Sequence, residues 1–202
     1  MEWGDDLQRR FAIIGHRAPS VGNLNLNDLP GSGGRVDVLT RAINSALFVS
    51  HGIREDTQIV LHMMGGNGPP RRILFDGSRL GGVRPDERSI AGQIKSVMKN
   101  EIPPIGNYVQ CSRGISHSGG GPEQTMAEWL RDGFKCYLLD ASGFPSSNIE
   151  SGDKMGFFLS DDLPMNDNDK SQIGGLDRVS LGEMWLQGHS CIAIVHHILD
   201  SH

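Results

Sequence analysis

Three short apolar runs in the second half of the chain each end in small or polar residues. Such runs are typical of buried strands, and the C-terminal ends of parallel strands meet at one edge of a sheet. Open α/β folds bind ligands in the crevice at that edge, so the pattern predicts a binding site there. The runs cover residues 136–139, 156–159 and 178–181, and they lead into Asp140, Ser160 and Gly182.

The rest of the periodicity predicts further strands and helices. The C-terminal segment is apolar at Ile192, Val195 and Leu199, a spacing of three or four that predicts a helix over about 191–199. The predicted fold class is α/β, a mostly parallel sheet flanked by helices. The other strands are predicted at residues 10–15, 57–64 and 72–75, and the other helices at 36–50, 86–99 and 122–131.

Residues 100–121 show no periodicity and carry many small polar residues. A loop of this length within a domain is usually either functional or disordered, and the sequence leaves both alternatives open.

Composition narrows the classes of protein. A chain of 202 residues with 37% hydrophobic residues is long enough to bury a core, and its net charge of −5 disfavours non-specific coating of nucleic acid. Three widely spaced cysteines predict neither disulfides nor a zinc site, which favours a reduced, cytoplasmic compartment. The chain has no apolar run of 18 residues, and its acidic start, residues 1–6, is unlike a signal peptide, so we expect no membrane association.

Common catalytic and metal signatures are absent. The glycine turn at residues 31–34 does not directly follow the first strand, so it is not a dinucleotide-binding fingerprint, and no phosphate-binding loop occurs. His196 and His197 point about 100° apart on a helix, which favours packing or surface roles over a shared metal ion. Cys191 at a helix start is a candidate nucleophile with His189 as its base, although the wall of a binding pocket is the favoured interpretation.

Charged side chains follow the glycine turn. Arg35, Asp37 and Arg41 begin a predicted helix, where they suit an anionic or nucleotide substrate, or equally form a solvated helix start. The same two interpretations apply to Arg84, Asp86, Glu87 and Arg88 at the next helix.

Four blocks of sequence together resemble the tRNA pseudouridine-54 N1-methyltransferases, a family of the SPOUT class. They are DLPGSGGRVDVL at 28–39, FVSHGIR at 48–54, PDERSI at 85–90, and VSL at 179–181 followed by HSC at 189–191. The resemblance implies one domain over residues 1–202 with a deep C-terminal trefoil knot, a homodimer, no metal, and a tRNA substrate. It also implies S-adenosyl-L-methionine as the cofactor, bound in a bent conformation.

Carried over by position, the resemblance implies a cofactor pocket that coincides with the three predicted strand ends. Ser160 departs from the family, which usually has glycine there, and Asp140 and Gly182 also replace residues of relatives. The implied pocket residues are Leu139, Ser160, Leu181, Gly182, Glu183, Met184, Trp185, Leu186 and Cys191.

Methylation of pseudouridine N1 requires in-line attack on a sulfonium methyl group and loss of the N1 proton. On the substrate side, Arg35 is predicted to clamp phosphate or base, and Asp37 to act as base or orienting acceptor, with Asp86 as the alternative carboxylate. Arg41, Arg84 and Arg88 are the remaining predicted RNA contacts. Basic residues at 71, 72, 79, 84, 88 and 113 predict a polarised surface for tRNA on an acidic chain.

Two other functions stay open at this point. The first is a ribosomal-RNA pseudouridine N1-methyltransferase, against which the LPGSGGR block at 29–35 argues. The second is a catalytically idle RNA-binding module on the same scaffold, which Ser160 keeps open.

Overall fold

A computed structural model describes residues 8–149 and 152–201, and the acidic start at residues 1–6 lies outside this range. The strands are β1 Gln8–Pro19, β2 Phe48–Val49, β3 Gly52–Ile53, β4 Thr57–Gly65, β5 Arg71–Asp76, β6 Val109–Ser112, β7 Ile115–Gly119, β8 Lys135–Pro145, β9 Lys154–Ser160 and β10 Asp177–Ser180. The helices are α1 Val36–Leu47, α2 Glu87–Met98, α3 Pro122–Arg131, α4 Asp167–Ile173 and α5 Gly188–Asp200, with a 3₁₀ turn at Ser146–Asn148.

The main sheet has eight strands in the order β10-β8-β9-β1-β4-β5-β7-β6. Its first five strands are mutually parallel, and the last three pair antiparallel, so the predicted α/β fold with a mostly parallel sheet is confirmed. None of the helices in the described ranges is long and apolar enough to cross a membrane.

Strand β1 lies near the middle of the sheet and is apolar on both faces. Phe11 and Ile13 belong to the larger hydrophobic cluster, which α1, α2 and α5 cover. Ala12 and Ile14 belong to the smaller cluster on the other face, which includes Trp129 of α3. Continuous apolar sequence is what a strand covered by helices on both faces requires.

Several segments differ from the prediction. Residues 100–121 contain the ordered strands β6 and β7, and the polar helix α4 was not predicted at all. Only Val179 is buried in β10, so that strand is less buried than its sequence suggested. Helix α1 ends at Leu47 because the β2–β3 hairpin follows directly, and α5 begins at Gly188, three residues before Cys191.

The C-terminal end of α5 is attached to the start of β1 by polar contacts. The guanidinium of the buried Arg9 donates to His196 Nδ1 at 3.0 Å and to Asp200 Oδ1 at 2.6 Å. His196 Nε2 lies 3.1 Å from the carbonyl of Ala46, and burial, together with nearby arginines, lowers the pKa of His196 to about 3. The ring is therefore neutral and buried, and it links β1 to α1 through these two contacts. His197, the next residue, is exposed.

Replacing Ile192 with alanine tests how much this helix contributes to stability. Its side chain is fully buried, so Ile192→Ala is expected to lower the free energy of unfolding by about 2–5 kcal/mol in urea titrations. Leu130→Ala, which truncates a leucine that is 49% exposed, is the matched control and should change it by only about 0.5 kcal/mol. Equal effects of the two substitutions would contradict the structure.

Candidate active site

Residues 139–141 of β8 and the C-terminal ends of β9 and β10 surround a cavity of about 320 Å³, which we call the strand-end cavity. The predicted end of the first of these strands at residue 139 is wrong, because β8 continues to Pro145 and only its pairing with β9 stops, at Leu138. The volume of the cavity lies at the lower end of the range for small-molecule sites. Eight of the nine predicted pocket residues line it, whereas Glu183 is exposed and is not part of the wall. Their roles in binding stay a prediction. The eight are Leu139, Ser160, Leu181, Gly182, Met184, Trp185, Leu186 and Cys191.

Strand pairing and one glycine create this cavity. Leu138 pairs with Phe158 and with Arg178, which places the ends of β9 and β10 on either side of the middle of β8. A Cβ atom on Gly188 would lie only 3.2 Å from Ile13 Cδ1 and 3.4 Å from the Ser160 carbonyl oxygen. Glycine at this position therefore allows α5 to pack closely against the end of β9.

The hydroxyl group of Ser160 does not stand free in the cavity. It donates a hydrogen bond to the carbonyl of Leu163, within the turn that follows β9. The departure from glycine is thus accommodated by a local contact, and the backbone of Ser160 stays in the cavity wall.

Cys191 forms part of the wall and lacks the features of a nucleophile. It is the fourth residue of α5 instead of the first, and burial raises the pKa of its thiol. Burial and the charge of Arg41 lower the pKa of His189. A neutral thiol without a thiolate-stabilising neighbour is unreactive, which supports the interpretation of Cys191 as pocket wall.

Three charged side chains also line the cavity: Asp140, Asp161 and Lys170. Asp140 Oδ1 accepts from the backbone N–H of Ser142 at 2.8 Å and from its hydroxyl at 2.7 Å, and these hydrogen bonds lower the pKa of Asp140.

Lys170 lies on α4, a helix that apolar periodicity did not predict. The only sequence signal for that helix is the polar capping box at its start, Asn166 with Asp169.

His16 bridges two buried carboxylates beside the cavity. Its Nδ1 lies 2.8 Å from Asp161 Oδ1, and its Nε2 lies 2.8 Å from Asp169 Oδ2. The hydrogen bond with Asp161 and the contact with Asp169 raise the pKa of His16 to about 9, although burial opposes the shift. The charged ring therefore joins the turn after β9 to helix α4, both of which contribute walls of the cavity.

Two of the predicted substrate residues, Arg35 and Arg41, form a charged group with Arg17 of β1, and we call these three residues the arginine cluster. Arg35, whose φ of 66° is left-handed, contacts Asp37 through Nε at 3.0 Å and Asp162 through Nη1 at 2.9 Å. Arg41 Nη2 lies 2.5 Å from Asp37 Oδ2, and Arg17 also contacts Asp162. The cluster is thus held in place by carboxylates.

Asp37 is buried between two of these arginines. Burial alone would raise its pKa, but the hydrogen bonds and charges of Arg35 and Arg41 outweigh this effect and lower the pKa below the ordinary value. A carboxylate of low pKa with both oxygens occupied orients its partners better than it accepts a proton.

The predicted residues at the start of α2 are exposed, and α1 lies beside them. Asp86 caps α2 by accepting from the Ser89 N–H at 2.8 Å, and Arg88 donates to Asn27 at 3.1 Å. Arg84 is exposed in the preceding loop. Arg41 Nη1 lies 3.8 Å from Glu87 Oε1, which links the two groups of predicted substrate residues.

The predicted basic surface is wrong at two positions. Arg71 and Arg72 are 1% and 0% exposed, and they donate to backbone and side-chain acceptors inside the protein. Side chains at 79, 84, 88 and 113 are exposed and retain the predicted basic character. Within the described ranges, no group of three or more metal-ligating side chains could hold a metal ion.

Comparison with known proteins relates this site to a family. A family model described as "Putative SAM-dependent RNA methyltransferase" matches residues 8–202. A protein of Methanococcus maripaludis strain C6 named tRNA (pseudouridine(54)-N(1))-methyltransferase is 35% identical over 196 residues, covering 95% of this chain and 98% of that relative. A relative of the same name from Methanospirillum hungatei is 36% identical and covers 94% and 95%.

The fold is also similar to a solved structure. The crystal structure of Archaeoglobus fulgidus Nep1 bound to S-adenosylhomocysteine matches with a TM-score of 0.65, covering 97% of this chain and 98% of that one. The sequence identity is 10%, so this likeness shows the fold alone.

The bridge at His16 makes stability depend on pH. Its folded pKa of about 9 exceeds the ordinary value of 6.5, so its stabilisation is complete below about pH 6.5 and is lost as the pH rises through about 9. His16→Asn should therefore destabilise the protein most at pH 6 and least at pH 10, measured by urea unfolding. His51→Asn, which alters an exposed histidine, is the control. A difference between wild type and His16→Asn that does not vary with pH would refute the charged bridge.

Proposed function

The chain belongs to the family of SAM-dependent RNA methyltransferases, and we propose that it methylates N1 of pseudouridine 54 in the T-loop of tRNA. The observation that carries the proposal is similarity over nearly the whole chain to relatives of that name, at about 35% identity. The strand-end cavity and the adjacent arginine cluster supply a place for each reactant.

We propose the strand-end cavity as the binding site of S-adenosylmethionine. Apolar side chains such as Leu139 and Leu186 suit the adenosine, while Lys170 and Asp140 present opposite charges that suit the carboxylate and amino groups of the methionine part. Met184 and Trp185, which are 79% and 73% exposed, flank the opening. Glu183 was predicted to bind the cofactor, and its exposed position gives it at most a place at the rim.

The chemistry needs positioning more than proton transfer. When bound, S-adenosylmethionine supplies a methyl group on a positively charged sulfur. Pseudouridine is joined to its ribose through carbon, so N1 carries a hydrogen and can attack that methyl group once both reactants are aligned. Arg35, fixed by Asp37 and Asp162, is proposed to hold the phosphate or base beside the cavity.

Asp37 is proposed to orient Arg35 and Arg41 instead of accepting the N1 proton, because its pKa is lowered and both its oxygens are occupied. Asp86, which is exposed at the start of α2, is the carboxylate proposed to receive the proton. Arg41, Arg84 and Arg88 are proposed to contact the RNA backbone.

We extend the proposal to the remaining features that the family resemblance implies. Residues 177–201, which include β10 and α5, are proposed to form the trefoil knot, and the exposed Met184 and Trp185 are proposed to lie near the contact of a homodimer. Light scattering coupled to size-exclusion chromatography measures the mass of the assembly, and a monomeric mass would contradict the dimer. The proposed compartment is the cytoplasm.

The decisive experiment is mass spectrometry of RNA after incubation with the protein and S-adenosylmethionine. A tRNA transcript with pseudouridine at position 54 should gain one methyl group, and the same transcript with uridine should gain none. Methylation of a ribosomal-RNA fragment instead would favour the alternative enzyme. Absence of S-adenosylmethionine binding by calorimetry would favour the idle RNA-binding module.

Substitution of Arg35 tests the proposed clamp. Arg35→Ala should lower kcat/KM for the tRNA by about 100-fold, because misplacement of a reactant by about 1 Å has an effect of this size. The affinity for S-adenosylmethionine should stay unchanged in calorimetry. Arg131→Ala, which removes an exposed arginine of α3, is the control. Equal loss of activity in both variants would show a general charge effect instead of a clamp.

Salt dependence tests how the acidic chain binds an anionic substrate. If exposed arginines such as Arg84 and Arg88 make two or three phosphate contacts, the affinity for tRNA should fall by about 10- to 50-fold between 50 and 200 mM salt. Fluorescence anisotropy with labelled tRNA measures this change. An affinity that does not respond to salt would exclude phosphate contacts as a source of binding.

A further inference from the structure

A second cavity, of about 410 Å³, lies beneath the loop that joins α2 to β6, and we call it the loop cavity. Its wall combines two prolines with amide and imidazole side chains. The residues that matter here are Asn100, Pro103, Pro104, Asn107, Gln110 and His117.

The wall of the loop cavity is fixed by hydrogen bonds to strand β7. The Gly119 N–H donates to the Pro103 carbonyl at 3.0 Å, and the Ser118 hydroxyl donates to the Pro104 carbonyl at 3.2 Å. The ring of Tyr108 packs against the guanidinium of the buried Arg72, with 5.0 Å between Cζ and the ring centroid. A cavity with a preformed wall binds a ligand at a lower entropic cost than a loop that must order on binding.

Buried polar atoms without partners lie in and beside this cavity. His117 lines it, is only 1% exposed, and its Nδ1 has no hydrogen-bond partner. Arg71 lies nearby, also 1% exposed, and donates to the carbonyls of Val97 and Asn100 at 2.7 Å each, while its Nε has no partner. A buried polar atom left unpaired is costly, so these atoms indicate a polar ligand at this position.

The side chains that line the loop cavity indicate which class of ligand it binds. Amide side chains such as Asn107 and Gln110 donate and accept hydrogen bonds as the edge of a nucleobase requires, and the flat prolines offer surfaces for its faces. The volume is large enough for one base. We propose that the loop cavity receives a second unpaired nucleobase of the substrate RNA, an inference that rests on the proposed RNA methyltransferase function.

The position of the cavity agrees with this assignment. A row of paired residues crosses the sheet from the end of β9 to β7, so both cavities lie along the same edge of the sheet. Four steps from strand to strand at the usual spacing separate them by about 19 Å. A stacked single strand covers that distance with about six nucleotides, which is within the reach of one hairpin loop. The paired residues are Ser160, Ile14, His62, Arg72 and Ser118.

Ultraviolet crosslinking locates the base directly. The full-length protein would be irradiated with a tRNA transcript that carries pseudouridine 54, digested, and searched by mass spectrometry for nucleotide adducts. Cys111 lines the loop cavity, so an adduct is expected on the peptide that contains residues 100–111. Adducts confined to residues 139–191 and to the arginine cluster would overturn the proposal.

A double substitution then tests whether the contact contributes to binding. Asn107→Ala with Gln110→Ala, both at exposed positions, should raise KM for the tRNA about tenfold and leave kcat and the affinity for S-adenosylmethionine unchanged. The control is Gln8→Ala, which changes an exposed glutamine at the N-terminal end of β1, away from the edge of the sheet where both cavities lie. Unchanged KM in the double variant, with normal methylation by the wild type, refutes the second base site alone. Absence of methylation and of tRNA binding in the wild type refutes the proposed function itself.

Discussion

The parallel pairing of β1 with both β4 and β9 is the constraint on which the rest of the structure depends. It places Ile14 opposite both Ser160 and His62, so the end of β9 and the end of β4 lie at the same edge. Parallel strands need long crossover connections, and these connections carry the helices and loops that form the site. The arginine cluster and the strand-end cavity are therefore close because of pairing between residues more than 140 positions apart in the chain.

Buried charge is the second organising feature, and most of it is paired with an opposite charge. Arg9 lies between Asp56 and Asp200, Arg72 contacts Glu128, and His16 bridges two aspartates. Buried ion pairs contribute little net stability, yet removal of one partner leaves an uncompensated charge that is strongly destabilising. These pairs therefore act chiefly to fix geometry: Arg9 holds the end of α5, and His16 holds α4 against the strand-end cavity.

The sequence allowed prediction where apolar periodicity was strong. Helix α1 could be predicted because its buried residues repeat at helical spacing, and the central strands because they are short apolar runs. The predicted strand ends at 139, 160 and 181 indicated the cavity, although β8 continues beyond residue 139. Helix α4 was not predicted because it buries only Asp169 and Ile173, which leaves no apolar periodicity, and because its stability comes from capping and ion pairing. The sequence suggests that Arg71 and Arg72 are surface charges. Only the tertiary structure shows that Arg71 donates to backbone carbonyls and that Arg72 donates to Glu128.

The charges around the proposed substrate site balance almost one for one. The three arginines of the arginine cluster contact three carboxylates, those of Asp37, Asp162 and Glu87, so this region offers RNA little net positive charge. The carboxylates fix the orientation of the arginine side chains. An arginine held by two carboxylates therefore loses little conformational entropy when it binds a phosphate or base. Donors whose orientation is fixed can recognise a substrate without a large net positive charge, so an acidic chain is compatible with an RNA substrate.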